Sequence, residues 1–190
     1  HIETITAGAD VPVIVKEVGF GLSGKTVAWL RELGVAVADV GGRGGTDFAR
    51  IENARRAGPD YSYLIPWGLS TPCCLLDTAD VDGIDILASG GIRSPLDIAR
   101  ALALGANAAG VAGAFLTILL THGTEALIAT IRTWLDQLSS ILAVLGSTSP
   151  GALTECDLLL DGDLETYCRL NGIDPRTYAR RRRPSTKPSR

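Results

Sequence analysis

The sequence predicts an α/β protein built on a parallel sheet. Three observations carry this. Short apolar runs alternate with helical segments in a repeated strand–turn–helix order. The runs are continuously apolar rather than alternating, as in strands covered on both faces. Gly is abundant, at 22 of 190 residues, and aromatics make up only 5%, a mix that suits many tight strand-to-helix turns.

Residues 11–18 form the first apolar, β-branched run, with Lys16 inside it. A glycine turn (19–24) leads to a helix at 25–33, closed by Gly34. Residues 35–40 are the second strand, followed by the glycine-dense loop 41–46 and a helical turn at 47–56. Residues 57–66 read as irregular. Ser70 or Thr71 then caps a helix with Pro72 just inside it. The third strand, 84–88, runs into Ser89-Gly90-Gly91-Ile92-Arg93 and a helix at 95–104, with Ser94 as cap, Pro95 in its first turn and Gly105 after it. Residues 107–113 are the fourth strand, rich in small side chains. Helical stretches follow at 114–120 and 124–145. In the second, Leu127, Ile128, Ile131, Leu135, Leu138, Leu142 and Leu145 make a core-facing stripe. After a Gly/Ser break come short helices near 152–159 and 164–170.

Composition excludes several classes. A net charge of −3 argues against a general nucleic-acid binder. The basic run Arg180 to Arg183 lies in a Pro/Ser-containing stretch that reads as a solvated tail. No run approaches membrane-spanning length; residues 108–120 are apolar but short. Cys73, Cys74, Cys156 and Cys168 lack metal-ligand spacing, and His1 and His122 are isolated, so reduced thiols, no metal site and a cytoplasmic location are expected. The chain starts at His1 and holds no Met, so an upstream segment is expected.

In a parallel α/β sheet, functional groups belong at the C-terminal strand ends. Here those ends hold Lys16, the 41–46 loop, the 89–93 turn and the Ala112-Gly113 pair. Gly90 and Gly91, with the helix that follows, favour a phosphate, and Arg93 can add a charged contact; a plain turn shaped by its glycines is the alternative. Lys16 is either a cation facing an anionic ligand, a Schiff-base lysine, or an ion-pair partner of Glu17 or Asp39. Thr46 offers a hydroxyl beside a loop that is either ligand-binding or merely flexible. Asp97 suits the dipole of its helix. Trp29, Trp67 and Trp134 read as core or interface, and Cys73 and Cys74 as packing residues.

Five segments occur in fixed order: Val-Lys-Glu-Val-Gly-Phe-Gly, Gly-Arg-Gly-Gly-Thr-Asp-Phe-Ala-Arg, Trp-Gly-Leu-Ser-Thr, Ala-Ser-Gly-Gly-Ile-Arg-Ser-Pro, and Val-Ala-Gly-Ala-Phe-Leu. Together they resemble type 2 isopentenyl-diphosphate isomerase, over about residues 11–178. The Ser-Gly-Gly-Ile-Arg turn alone is shared by many flavin barrels; the first two segments together are far more specific. The resemblance implies the C-terminal half of a (β/α)8 TIM barrel. It divides the chain into a half-barrel (1–146), a helical extension (147–178) and a basic disordered tail (179–190). It implies an isomerase that interconverts isopentenyl and dimethylallyl diphosphate using reduced FMN, with NADPH as flavin reductant and Mg²⁺ held outside this chain. By resemblance, Lys16 is the catalytic and cofactor-binding residue beside the flavin N1/O2 edge. Thr46 contacts FMN, and Gly90, Gly91, Ile92, Arg93, Ala112 and Gly113 hold its phosphate.

Three positions depart from the pattern. Gly41 replaces a serine that contacts the flavin, Asp47 replaces an asparagine and adds negative charge, and Ala114 replaces a proline. The substrate-binding basic residues, a histidine and a glutamine near the alkene and the Mg²⁺-binding glutamate belong to the N-terminal half. A missing half or second chain, and a homo-oligomer, are therefore expected partners. Two alternatives stay open. A related FMN-dependent 2-hydroxy-acid oxidoreductase needs a histidine base near the flavin, and no histidine stands near a strand end. A non-catalytic half-barrel would bind phosphorylated ligands only.

Overall fold

The computed structural model describes residues 1–56, 58–65 and 67–182. Helix α1 (Ile2–Gly8) precedes four β/α units. These are β1 (Ile14–Lys16) with α2 (Gly24–Glu32), β2 (Val37–Asp39) with α3 (Phe48–Arg55) and α4 (Thr71–Asp77), β3 (Asp85–Ala88) with α5 (Pro95–Ala103), and β4 (Ala108–Ala109) with α6 (Gly113–Leu145). Two short helices, α7 (Asp163–Leu170) and α8 (Pro175–Ala179), close the described chain. The sheet is parallel throughout, in the order β1-β2-β3-β4. This is the expected architecture: four β/α units, half of the eight in a closed barrel.

Register aligns the strand ends. Lys16 lies opposite Asp39, Asp39 opposite Leu87, and Ala88 opposite Ala109. The turns that follow therefore emerge side by side on one rim. The strands are shorter than the apolar runs foretell, at the edges β1 and β4 and in the central β2 alike. The expectation that the first apolar run (11–18) is covered on both faces is corrected: Val11, Ile14 and Val18 are exposed.

The central strands and α2, α4 and α5 enclose the main core, with Val27, Ala38, Val40, Cys74 and Ala88 fully buried. Burial of Cys74, with neighbouring Cys73 and Asp77, pushes its thiol up to about 12, so it packs as a small apolar group. The other three cysteines are also buried and free. Trp29 and Trp67, expected in core or interface, are largely exposed, whereas Trp134 packs at 4.9 Å on Phe115.

Helix α6 is two helices joined at Gly123, whose φ of +81° and ψ of −179° leave the helical region. The break falls between the two stretches foreseen in the sequence. Taken through the break, α6 is long and apolar enough to cross a membrane by length and composition (mean hydropathy 1.5), which corrects the expectation that no run reaches that length. Its C-terminal half packs on the protein. Leu138, Ile141, Leu142 and Leu145 contact a second core made by Ala99, Leu102, Ala103, Leu153 and Cys156. The foreseen stripe holds there and fails higher up, where Ile128 and Leu135 are exposed.

Leu153, in the 3₁₀ turn Gly151–Glu155, is fully buried in that second core, and Cys168 and Tyr178 enter the main one. Residues 156–162 are not helical, in contrast to the helix foreseen over 152–159. Residues 179–182 do not begin a loose tail. Arg181 Nη1 donates to the Ala103 carbonyl at 2.6 Å and its guanidinium stacks on Tyr178, while Arg182 donates to the Leu145 carbonyl. Both contacts end helices whose last carbonyls need donors. The rest of the expected tail, residues 183–190, lies outside the described residues.

Candidate functional site

One cleft of about 660 Å³ opens at the C-terminal rim of the sheet. That size is within the usual range for small-molecule sites. All eight residues singled out in the sequence line it: Lys16 from β1, Thr46 after β2, Gly90, Gly91, Ile92 and Arg93 after β3, and Ala112 and Gly113 after β4. Four turns distant in sequence thus meet because the strands are parallel and in register.

Lys16 resolves in favour of an ion pair with Asp39, one of the alternatives left open. Its Nζ lies 2.8 Å from Asp39 Oδ2 and donates to Ser89 Oγ at 2.5 Å, yet half of its side chain remains exposed. Glu17, the other possible partner, is occupied elsewhere. Its Oε2 accepts the backbone N–H groups of Gly19 and Phe20 at 2.5 Å and of Gly21 at 3.0 Å, and so clamps the loop after β1.

The paired glycines serve the protein's own backbone first. A Cβ on Gly90, at φ +92°, would collide with the carbonyl of Gly42, and Gly91, at φ +77°, lies in van der Waals reach of Gly44. The 41–46 loop and the 89–93 turn are therefore interlocked. Arg93 adds to the lock by donating from Nη2 to the Gly44 carbonyl at 2.8 Å. A guanidinium has five donors, so others remain for an anion. Gly41 is explained in the same way: at φ +48°, a Cβ would run into the Glu17 carbonyl, so the serine of the resemblance does not fit this backbone. The charge of Asp47 is absorbed locally, since it caps α3 through Arg50 N at 3.1 Å and pairs with the Arg50 side chain.

The helix ends at the rim differ. The start of α5 is already satisfied: Ser94 and Asp97 cap each other's turn, and Asp97 Oδ2 accepts Arg93 N at 3.1 Å. Asp97 is structural, as foreseen. The start of α6, at Ala112, has no side-chain cap and faces the cleft. Of the two helix starts, that of α6 is therefore the one that leaves its first N–H groups without a side-chain cap beside the cleft.

Thr71 is more than the possible cap that the sequence suggests. Ser70 is the cap of α4, accepting Cys73 N, and Thr71 Oγ1 lies 2.8 Å from the Ser89 carbonyl and 2.6 Å from that of Gly90. Its single hydroxyl proton is shared between them and pins the turn from below. Thr71→Val is expected to lower stability by about 1–3 kcal/mol in urea denaturation, because it leaves these carbonyls short of a donor. The only available signal was a hydroxyl beside a capping serine, which does not distinguish the two roles.

The family model described as FMN-dependent dehydrogenase matches residues 1–159. The chain belongs to that family. Within the FMN-dependent dehydrogenase family, its similarity to curated proteins is high. It is 66% identical over 181 residues to the isopentenyl-diphosphate delta-isomerase of Nocardia farcinica, covering 95% of this chain and 50% of that protein. It is 55% identical over 181 residues to the protein of that name from Streptomyces sp., with the same coverage, and 46% identical over 173 residues to that from Lacticaseibacillus paracasei, covering 91% and 50%. The chain spans about half the length of the curated relatives it matches. Among solved structures, a soluble mutant of (S)-mandelate dehydrogenase from Pseudomonas putida superposes with a TM-score of 0.63 at 18% identity, over 80% of this chain and 38% of that one. A mandelate oxidase superposes at 0.59 and 23%, over 80% and 40%. These two likenesses concern the fold alone.

The cleft suits the cofactor of the family. It has a lysine at one strand end, an arginine with spare donors, and an uncapped helix start lined by small residues. A Cβ on Gly113 would meet nothing within 4 Å, so the backbone there is open to a ligand.

Proposed function

We propose that this chain is the FMN-binding half of an isomerase that interconverts isopentenyl diphosphate and dimethylallyl diphosphate. The observation that carries the reading is the convergence of all eight site residues, from four strand ends, on one cleft. The names of relatives 46–66% identical supply the reaction.

In this reading Ala112, Gly113, Gly90, Gly91, Ile92 and Arg93 hold the FMN phosphate through backbone N–H groups and one guanidinium. Thr46 donates or accepts at the flavin rim. Lys16 places a positive charge beside the flavin and stabilises negative charge in its reduced form. Bound reduced FMN supplies proton transfer across the allylic unit without net redox change. The interlocked glycine turns keep the rim rigid, so the charges need no rearrangement when the substrate binds.

NADPH serves as flavin reductant, and the Mg²⁺ ligand and the diphosphate-binding groups lie outside this chain. The partner is the N-terminal half or a second chain in a homo-oligomer, in the cytoplasm. The exposed edge of β1 and the exposed Leu116, Leu119 and Leu120 on α6 support such a partner, because unpaired strand edges and apolar patches call for cover. The division into half-barrel (1–146) and extension (147–178) belongs to the same proposal.

Purified chain is expected to carry flavin absorbance, and mixing it with an N-terminal half from a relative is expected to restore isomerisation. Flavin-free protein that stays inactive after complementation sinks the reading. Flavin reduction by lactate or glycolate would favour a 2-hydroxy-acid oxidoreductase instead, although no histidine of the described residues lines the cleft.

A further inference from the structure

Lys16, Asp39 and Ser89 close a hydrogen-bonded ring across three strand ends. Lys16 Nζ donates to Asp39 Oδ2 at 2.8 Å and to Ser89 Oγ at 2.5 Å. The Ser89 hydroxyl donates onward to Asp39 Oδ1 at 2.6 Å, and that oxygen also accepts Gly41 N at 3.1 Å. Every donor and acceptor in the ring is matched in direction. An ammonium carries three N–H donors and no acceptor. Two are taken here, and one is left.

Burial separates the roles of the three groups. Asp39 and Ser89 are each 8% exposed, whereas half of the Lys16 side chain is open. A lysine has a long, flexible stem and on its own samples many rotamers. A buried carboxylate and a buried hydroxyl, each fixed by its own strand end, remove that freedom at the charged tip. The strand register makes this possible by setting Lys16 directly beside Asp39.

We propose that Asp39 and Ser89 are positioning residues that hold the Lys16 ammonium in one orientation, leaving its third N–H for an acceptor atom of the ligand in the cleft. The proposal rests on reading Lys16 as the residue that faces the flavin. Asp39 and Ser89 act through Lys16 and need not touch the ligand. The ring also explains how a strand-end lysine keeps its charge fixed before any ligand arrives: its counter-charge is built in.

The chain has only three lysines, Lys16, Lys25 and Lys187, so ¹⁵N NMR of lysine ammonium groups can follow Lys16 directly. In the wild-type chain the Lys16 signal is expected to persist near neutral pH, because two hydrogen bonds slow its exchange. Ser89→Ala and Asp39→Asn are each expected to abolish it, and Ser89→Thr, which keeps a hydroxyl, to retain it. FMN titration adds a second readout. Lys16→Met and Ser89→Ala should each weaken FMN binding roughly tenfold, the scale of one charged hydrogen bond, and the double variant should be no weaker than Lys16→Met. A Lys16 signal unchanged in both Ser89→Ala and Asp39→Asn overturns the proposal. So does a loss of FMN affinity from Ser89→Ala that is undiminished in the Lys16→Met background. If Lys16→Met leaves FMN affinity unchanged while the ammonium signals respond as expected, the positioning stands and the flavin-facing reading of Lys16 fails.

Discussion

Gly90→Ala is expected to destabilise the protein by about 3 kcal/mol and to abolish flavin retention. Two costs combine. At φ +92° an L side chain is strained, and its Cβ would collide with the backbone of Gly42. The backbone of the 41–46 loop cannot yield cheaply, because Gly42 N donates to the Ser89 carbonyl at 3.0 Å and Arg43 N to the Leu69 carbonyl at 2.7 Å. Gly105→Ala separates the two costs. Gly105 has a similar φ of +106°, but a Cβ there would meet nothing within 4 Å. It should cost about 1 kcal/mol, the strain alone. Urea denaturation of both variants, with the flavin absorbance of the purified proteins, checks this. Equal losses at the two positions would mean that the loops are not interlocked.

The second large effect lies far from the cleft. Leu153→Ala is expected to cost about 2–5 kcal/mol, the range for emptying a fully buried leucine site. Leu153 is 0% exposed and fills the second core between α5 and the C-terminal part of α6. Leu159→Ala, a few residues on, removes a side chain that is 83% exposed and should stay within about 0.5 kcal/mol. A shift in denaturation midpoint for the first and none for the second would mark the 147–178 extension as part of the folding unit. Matching curves would mark it as an appendage.

The strand and helix order was legible in the sequence because buried parallel strands and capped helices leave strong local signals. Ser94 with Pro95, and Gly105 after the helix, place α5 within a residue of its observed ends. The eight cleft residues were legible for a different reason. Strand ends are easy to locate, and a parallel sheet brings them together. What was not legible is pairing across the sheet. That Lys16 meets Asp39 and Ser89 rather than Glu17 depends on register. Nothing in a string of residues reports register when both strands are apolar. The same holds for the glycines. Their density marked a close approach, but only the fold shows that the two loops approach each other. The break in α6 was legible at Gly123, yet the exposure of Ile128 and Leu135 was not, because helical period identifies a stripe without saying how far its neighbour extends.

The contacts of Arg181 and Arg182 bear on the order in which the molecule can be made. They supply donors to the carbonyls at the ends of α5 and α6, from 78 and 37 residues further along the chain. Leu158 N also bonds to the Tyr178 carbonyl at 2.9 Å, which ties the closing segment down beside them. During synthesis, therefore, these two carbonyls wait for their arginine donors until residue 182 has emerged, although every residue that lines the cleft is made by residue 117. A stalled chain a few dozen residues short would carry every residue that lines the cleft and still lack the last stitches of its own scaffold.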